Sequence, residues 1–125
     1  MRRLFAFVFL IGVVLSTSAF ADGPLGQWAR GDGNARVIIQ PCGSNLCVIN
    51  TWIKPGITDE KVGEKLMLTL KADDARHWEG QTFDPQRKLC FSMFFDADSS
   101  SMQSRGCVLG DFVCKSMGWT RLGQD

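Results

Sequence analysis

The residue types best suited to chemistry in this 125-residue chain are five cysteines, one histidine and 13 carboxylates. Four of the cysteines form two close pairs. Cys42 and Cys47 bracket Gly43-Ser44-Asn45-Leu46, Cys107 and Cys114 bracket Val108 to Val113, and Cys90 stands alone. Four thiolates suffice for a zinc ion, but structural zinc favours Cys-x2-Cys knuckles, and the spacings here are Cys-x4-Cys and Cys-x6-Cys. Local disulfides, Cys42–Cys47 and Cys107–Cys114, are the simpler reading. Each closes a short loop and so contributes less than the ~3 kcal/mol of a fifteen-residue loop. Cys90 as a nucleophile would need a base. The only histidine, His77, sits beside an acidic turn, where a surface position is expected. Leu89 and Phe91 mark an apolar stripe, so Cys90 belongs to the opposite face. A buried, inert thiol is expected there, with an intermolecular disulfide as the alternative. Asp32, Asp59, Glu60, Glu64, Asp73, Asp74, Glu79, Asp84, Asp96, Asp98 and Asp111 are scattered, most of them in turn-like contexts. Glu79 and Asp84 are the pair whose spacing invites an acid/base reading. The sequence has no phosphate-cradling glycine loop, no serine elbow and no metal-spaced histidine cluster, so neither a metal nor a cofactor is assigned.

The compartment decides how the cysteines are read. Arg2 and Arg3 precede an apolar run from Leu4 to Leu15, too short to span a bilayer, and Ala19-Phe20-Ala21 supplies small residues for cleavage. The pattern predicts a secretory signal peptide over residues 1–21 and a single mature domain over residues 22–125, with no membrane span after cleavage. A retained anchor is the alternative. An exported chain meets an oxidising environment, in which paired cysteines become disulfides. The protein is therefore expected in the periplasm or outside the cell. The 14 Lys+Arg nearly balance the 13 Asp+Glu, and Arg2 and Arg3 leave with the signal. That balance argues against a nucleic-acid partner and against docking on anionic lipid, both of which need a surplus of positive charge. The sequence assigns no oligomeric state.

Beyond the signal there is no sustained helical period. Short apolar runs alternate with turn signals, as in all-β domains. Strands are predicted at Gly26 to Arg30, Arg36 to Gln40 with Pro41 as the stop, Leu46 to Ile53, Lys65 to Lys71, Arg76 to Phe83, Leu89 to Phe95, Met102 to Leu109 and Phe112 to Leu122. Thr58 to Lys65 reads as a loop or one helical turn. Within Lys65 to Lys71, Leu66, Leu68 and Leu70 alternate with Lys65, Met67, Thr69 and Lys71, the half-buried strand pattern. Eight short strands with tight connections make a meander that can close as an up-and-down antiparallel barrel. A two-sheet sandwich is the competing architecture.

Several motifs carry a resemblance across the mature chain. Gly26-Gln27-Trp28, the Cys42/Cys47 pair, Phe83-Asp84-Pro85, Gly106-Cys107-Val108-Leu109-Gly110, Cys114 and Trp119-Thr120-Arg121 occur in that order. Together they resemble the bacterial "domain of unknown function 2147" family. The chain departs from that pattern at Val48 and at Gln86-Arg87-Lys88-Leu89-Cys90. The resemblance implies an exported, lipocalin-like barrel of the calycin type with no established activity. Gly26-x-Trp28 also resembles the first-strand motif of lipocalins, in which a Trp at the barrel base packs under an Arg of the last strand. That resemblance implies a structural pairing of Trp28 with Arg121, worth about 0.5–2 kcal/mol as a cation–π contact.

Nine Phe and four Trp enrich the chain in large apolar side chains. Leu66, Leu68, Leu70, Phe91, Met93 and Phe95 are expected to face the barrel interior, either as a packed core or as the wall of a pocket for a small apolar molecule. Met67, Met93, Met102 and Met117 would make such a wall adaptable. The functional expectation is a small ligand-binding barrel. A protein–protein interaction module is the alternative, and an enzyme is not expected.

Overall fold

The computed structural model describes residues 23–110 and 112–123. The signal peptide expected over residues 1–21 lies outside the described residues. Eight strands follow one another: β1 (Gly26–Arg30), β2 (Ala35–Cys42), β3 (Asn45–Ile53), β4 (Lys65–Ala72), β5 (His77–Asp84), β6 (Leu89–Ala97), β7 (Ser101–Val108) and β8 (Val113–Arg121). Each pairs antiparallel with its sequence neighbour, and β8 returns to β1, so the sheet closes as an up-and-down barrel. The sandwich alternative is excluded, and closure leaves no strand edge open. Residues 54–64 form an irregular connection with no helical turn. Pro41 does not stop β2 but lies within it, opposite Leu46. It tolerates the position because β1 begins at Gly26, opposite Ile39, so no strand beyond that point needs the missing N–H.

The turns form for a common reason. Asp32, Asp74, Asp84 and Asp98 each accept a hydrogen bond from the backbone N–H two residues on, at Asn34, Arg76, Gln86 and Ser100. The short Asp side chain thereby mimics a backbone turn. Gly43, at φ 67°, sits in the tight β2–β3 turn, and Leu109 and Gly110 both take positive φ in the β7–β8 turn. Both hairpins carry disulfides, Cys42–Cys47 and Cys107–Cys114. Cys107 and Cys114 are direct cross-strand partners.

Packing divides the barrel into two halves. At the base, Trp28, Ile39, Leu46, Leu68, Trp78, Ala97 and Met102 form a cluster nearly devoid of solvent exposure. The segment Gly23-Pro24-Leu25 crosses beneath it. Pro24 is fully buried, and its carbonyl accepts the Trp28 indole N–H at 2.9 Å. Trp28 and Arg121 are register partners, and the Arg121 guanidinium lies 4.2 Å from the centre of a Trp28 ring. The same guanidinium donates to the carbonyls of Leu25 (2.7 Å), Gly23 (2.9 Å) and Ser99 (2.8 Å). One side chain thus ties the N-terminal segment, β1, β8 and the β6–β7 turn together. Gly26 is required beside it: its φ is 121°, and a Cβ there would stand 2.7 Å from Arg121 Nη1.

Removing either member should loosen the base. Trp28→Ala is expected to cost about 3–5 kcal/mol, as for other large buried aromatics. Arg121→Ala is expected to cost about 2 kcal/mol, because it strands the partly buried Gly23 and Leu25 carbonyls as well as removing the ring contact. Urea melts of the two single variants and the double variant should give a coupling energy above ~0.5 kcal/mol. Unchanged melting for both single variants would contradict this account of the base.

Candidate functional site: the barrel mouth and its cavity

Side chains alternate between the two faces of each strand, so the register decides which of them look inward. The β1–β2, β3–β4, β5–β6 and β7–β8 connections gather at the end away from Trp28, and below them lies a cavity of about 630 Å³. Its wall is apolar. Val37, Ile39, Val48 and Leu66 supply one side, and Phe91, Met93, Phe95, Met102 and Trp119 the other. The cross-strand neighbours of Met93 are Gly80 and Gly106, and the Phe91 ring and the Met93 sulfur lie over Gly106. Gly80 cannot be larger, because a Cβ there would run into the Thr69 carbonyl oxygen. Trp119 is fixed by its indole N–H, which donates to Ser104 Oγ at 2.9 Å.

The rim is polar, and most of its charges are spent on one another. Arg30 ends β1 and reaches the 54–64 connection, where its two Nη groups donate to the Glu60 carboxylate at 2.7 and 2.8 Å. Its Nε donates to Asp32 at 3.0 Å. Asp84, only 6% exposed, accepts from the Gln86 backbone (3.0 Å) and side chain (2.7 Å) and from the Arg87 guanidinium (3.1 Å). Arg87 also donates to the Asp59 carbonyl at 2.8 Å and approaches Glu64 at 3.4 Å. Gln86 clamps β4 at both polar groups of Lys65, accepting its N–H at 2.9 Å and donating to its carbonyl at 2.8 Å. Two arginines therefore hold the long 54–64 connection against the mouth, one from each side.

These contacts set the ionisation of the rim. The Arg30 hydrogen bonds hold the Glu60 carboxyl below its usual range, against the opposing effect of burial. Burial pushes Asp84 up, but hydrogen bonds from Gln86 and Arg87 outweigh it and leave the pKa lowered. Burial likewise opposes a net lowering at Asp32, where the Asn34 N–H and Arg30 prevail. At the other end of the barrel the exposed His77 ring contacts Asp74 (2.8 Å) and Asp96 (3.3 Å). Its pKa is raised, chiefly by the hydrogen bond to Asp74.

The structure distributes the residues singled out from sequence as follows. Leu66, Phe91, Met93 and Phe95 line the cavity. Leu68 and Leu70 do not: both lie on the same inward row of β4 but nearer the base, where Leu68 is fully buried in the packed cluster and Leu70 packs against it. Met67 alternates outward between Leu66 and Leu68 and contributes nothing to the wall, whereas Met93 and Met102 do. Cys90 is exposed, not buried, because the outer face of β6 near the mouth is covered by no other element. Its register partner is Phe83, while His77 pairs with Asp96. Six residues of strand separate the two positions, about 20 Å, so no thiol–imidazole pair exists. Glu79 faces out and Asp84 faces in, so these carboxylates do not converge either.

Sequence reasoning missed Arg30, Glu60, Gln86, Arg87 and Lys115. The last was accessible by counting back in twos from Arg121 through Trp119 and Met117, since these share one face. The partners of Arg30 and Arg87 belong to an irregular connection and carry no periodic signal. A second, smaller depression of about 300 Å³ lies on the outer face of β5–β8 beside Phe94, Arg105 and His77. The Arg105 guanidinium already covers the Phe94 ring at 5.2 Å.

The fold and site define a class: a small disulfide-stapled up-and-down β-barrel, packed at one end and hollow at the other. The disulfides point to an oxidising, extracytoplasmic compartment. Residues 26–121 match the family described as "Uncharacterized protein conserved in bacteria (DUF2147)", and the chain belongs to that family. Neither the comparison with curated proteins nor that with solved structures finds a match.

The rim contacts have a pH signature. A carboxylate whose folded pKa is lowered adds stability that is fully present above its unfolded pKa, near 4–4.5, and lost as pH falls through the folded value. Glu60→Gln should therefore cost about 1 kcal/mol at pH 7, a figure reduced for partial exposure. The cost should shrink as pH falls through the lowered pKa of the folded carboxyl, and vanish once that carboxyl is protonated. Urea midpoints across that range provide the check, and a cost independent of pH would contradict the Arg30–Glu60 assignment.

Proposed function

We propose that this protein is exported by a bacterial cell and binds a small apolar or amphipathic molecule in the barrel cavity, without catalysing a reaction. The observation that carries the reading is the cavity itself. Its volume of about 630 Å³ falls within the roughly 300–1,000 Å³ of small-molecule sites, and it combines an apolar inner wall with a broad polar and charged mouth, as an amphipathic ligand requires. Two of its wall residues, Met93 and Met102, are flexible and polarizable and can adapt to differently shaped ligands. The rim arginines and carboxylates are engaged with one another, which suits a gate better than a reaction centre. Export is supported by the apolar run Leu4 to Leu15, the Ala19-Phe20-Ala21 site and the two disulfides. The domain then spans residues 22–125 and acts in the periplasm or outside the cell.

A protein–protein interaction module is the second reading, and one observation favours it. Phe112 is 90% exposed and Leu109 75% exposed at the tip of the β7–β8 hairpin, with Val62 and Leu89 also exposed near the same end. Isolated apolar residues are common on surfaces, but a group at one end suits a contact area.

Displacement of a fluorescent apolar probe by dodecanol separates the two. Wild-type protein should show saturable one-to-one binding. Met93→Trp, which enlarges a side chain of the cavity wall, should weaken it at least tenfold while leaving the circular dichroism unchanged. Phe112→Ser should leave it unaltered. Probe binding that ignores Met93→Trp and is lost in Phe112→Ser would move the site to the exposed tip and sink the cavity reading.

A further inference from the structure

The rim of the cavity is not uniformly neutralised. Asp32, Glu60, Glu64 and Asp84 each accept from a rim arginine, and the forks of Arg30 and Arg87 are thereby occupied. Lys115 is different. It lies on β8 opposite Gly106, in the inward row that continues through Met117 and Trp119, and it lines the cavity. Its side chain makes no hydrogen bond or ion pair among the described residues. Its field nevertheless reaches Asp32, whose ionised form it favours. Lys65 also borders the mouth, but it stands on the outer row of β4, alternating with Leu66, and meets the rim through the backbone clamp of Gln86. Asp59, like Lys65, is a rim group whose side chain has no ion pair among the described residues, and its carbonyl accepts from Arg87. Among the described residues the entrance thus offers a cation on the inward row, exposed at the mouth with three unused N–H donors, in register with Met93 across Gly106 and four residues from Trp119.

We infer that Lys115 is a specificity-determining residue that receives the anionic head group of a single-chain amphiphile whose hydrocarbon tail occupies the cavity. The inference rests on the ligand-binding reading above and adds the chemical class of the ligand. An ammonium is a compact point charge with freely rotating donors, so it suits a carboxylate or a phosphate monoester at the mouth of an apolar site. An uncharged head group would gain less from it. The Arg30–Asp32–Glu60 cluster beside it carries one more negative than positive charge, yet its hydrogen bonds are made within the cluster and leave the ammonium's donors unoccupied.

Matched ligands test this. Dodecanoate, dodecyl phosphate and dodecanol compete for the same fluorescent apolar probe at pH 8 and low salt. Wild-type protein should bind at least one of the anions about tenfold tighter than the alcohol, the worth of one charge-assisted contact. That preference should shrink as salt is raised. Lys115→Gln should abolish it while changing dodecanol affinity less than twofold, and Lys115→Arg should retain it. The two anions identify which head group is preferred. Equal affinity for alcohol and anions in the wild type, or equal losses for all three ligands in Lys115→Gln, would overturn the role of Lys115 and leave the cavity reading standing. Failure of all three ligands to displace the probe would overturn the cavity reading itself, and this inference with it.

Discussion

The contact on which the rest of this barrel depends is the Arg121 guanidinium at its closed end. An eight-stranded meander has one seam that no hairpin turn enforces, the pairing of its first and last strands. β1 is only five residues long, so that seam is short. Arg121 reinforces it through three kinds of contact at once: strand register with Trp28, a cation–π contact with the Trp28 ring, and hydrogen bonds to the carbonyls of Gly23, Leu25 and Ser99. These carbonyls belong to segments with no strand partner of their own, and buried peptide oxygens left unpaired are costly. The guanidinium is suited to the task because its fork of fixed donors serves several acceptors in one plane while its face stays on the ring.

With the base sealed, the upper half need not be filled. The apolar cluster around Trp28, Leu68 and Trp78 provides the packed core that a domain of this size requires, and two disulfides supplement it. Near the mouth, Val48, Leu66, Phe91 and Met93 line a cavity in place of a packed core. The rim carries the cost of that hollow differently, with charges paired across loops: Arg30 with Glu60 and Asp32, and Arg87 with Asp84 and Glu64. Such partly exposed pairs add little stability individually. Their main effect is geometric, since they hold the 54–64 connection beside the entrance in one position.

Much of this organisation was legible in the sequence where a two-residue period or a turn residue governs the chain. The alternation of Leu66, Leu68 and Leu70 reads directly as an inward row, and the aspartates read as turns. What alternation does not encode is height along the barrel, so it could not separate Leu66, at the cavity, from Leu68, in the core. Pro41 misled because its effect depends on whether a neighbouring strand needs its N–H, and that is a property of where β1 begins. Cys90 misled for a similar reason: its face was read correctly, but whether anything covers that face is a tertiary fact. The Arg30–Glu60 contact joins residues thirty positions apart across an irregular connection, where neither period nor spacing leaves a trace. The Trp28–Arg121 pair, by contrast, was reached through resemblance to a family pattern and not through periodicity.

The central claim is a barrel sealed by Arg121 around a cavity that holds an amphiphile. Native mass spectrometry of the protein purified from its exported fraction under non-denaturing conditions tests it most directly. The account predicts a one-to-one adduct of a few hundred daltons that is released on denaturation, with fragmentation revealing a single hydrocarbon chain. A clean apo mass that stays unchanged after incubation with long-chain carboxylates, phosphates and alcohols would contradict it.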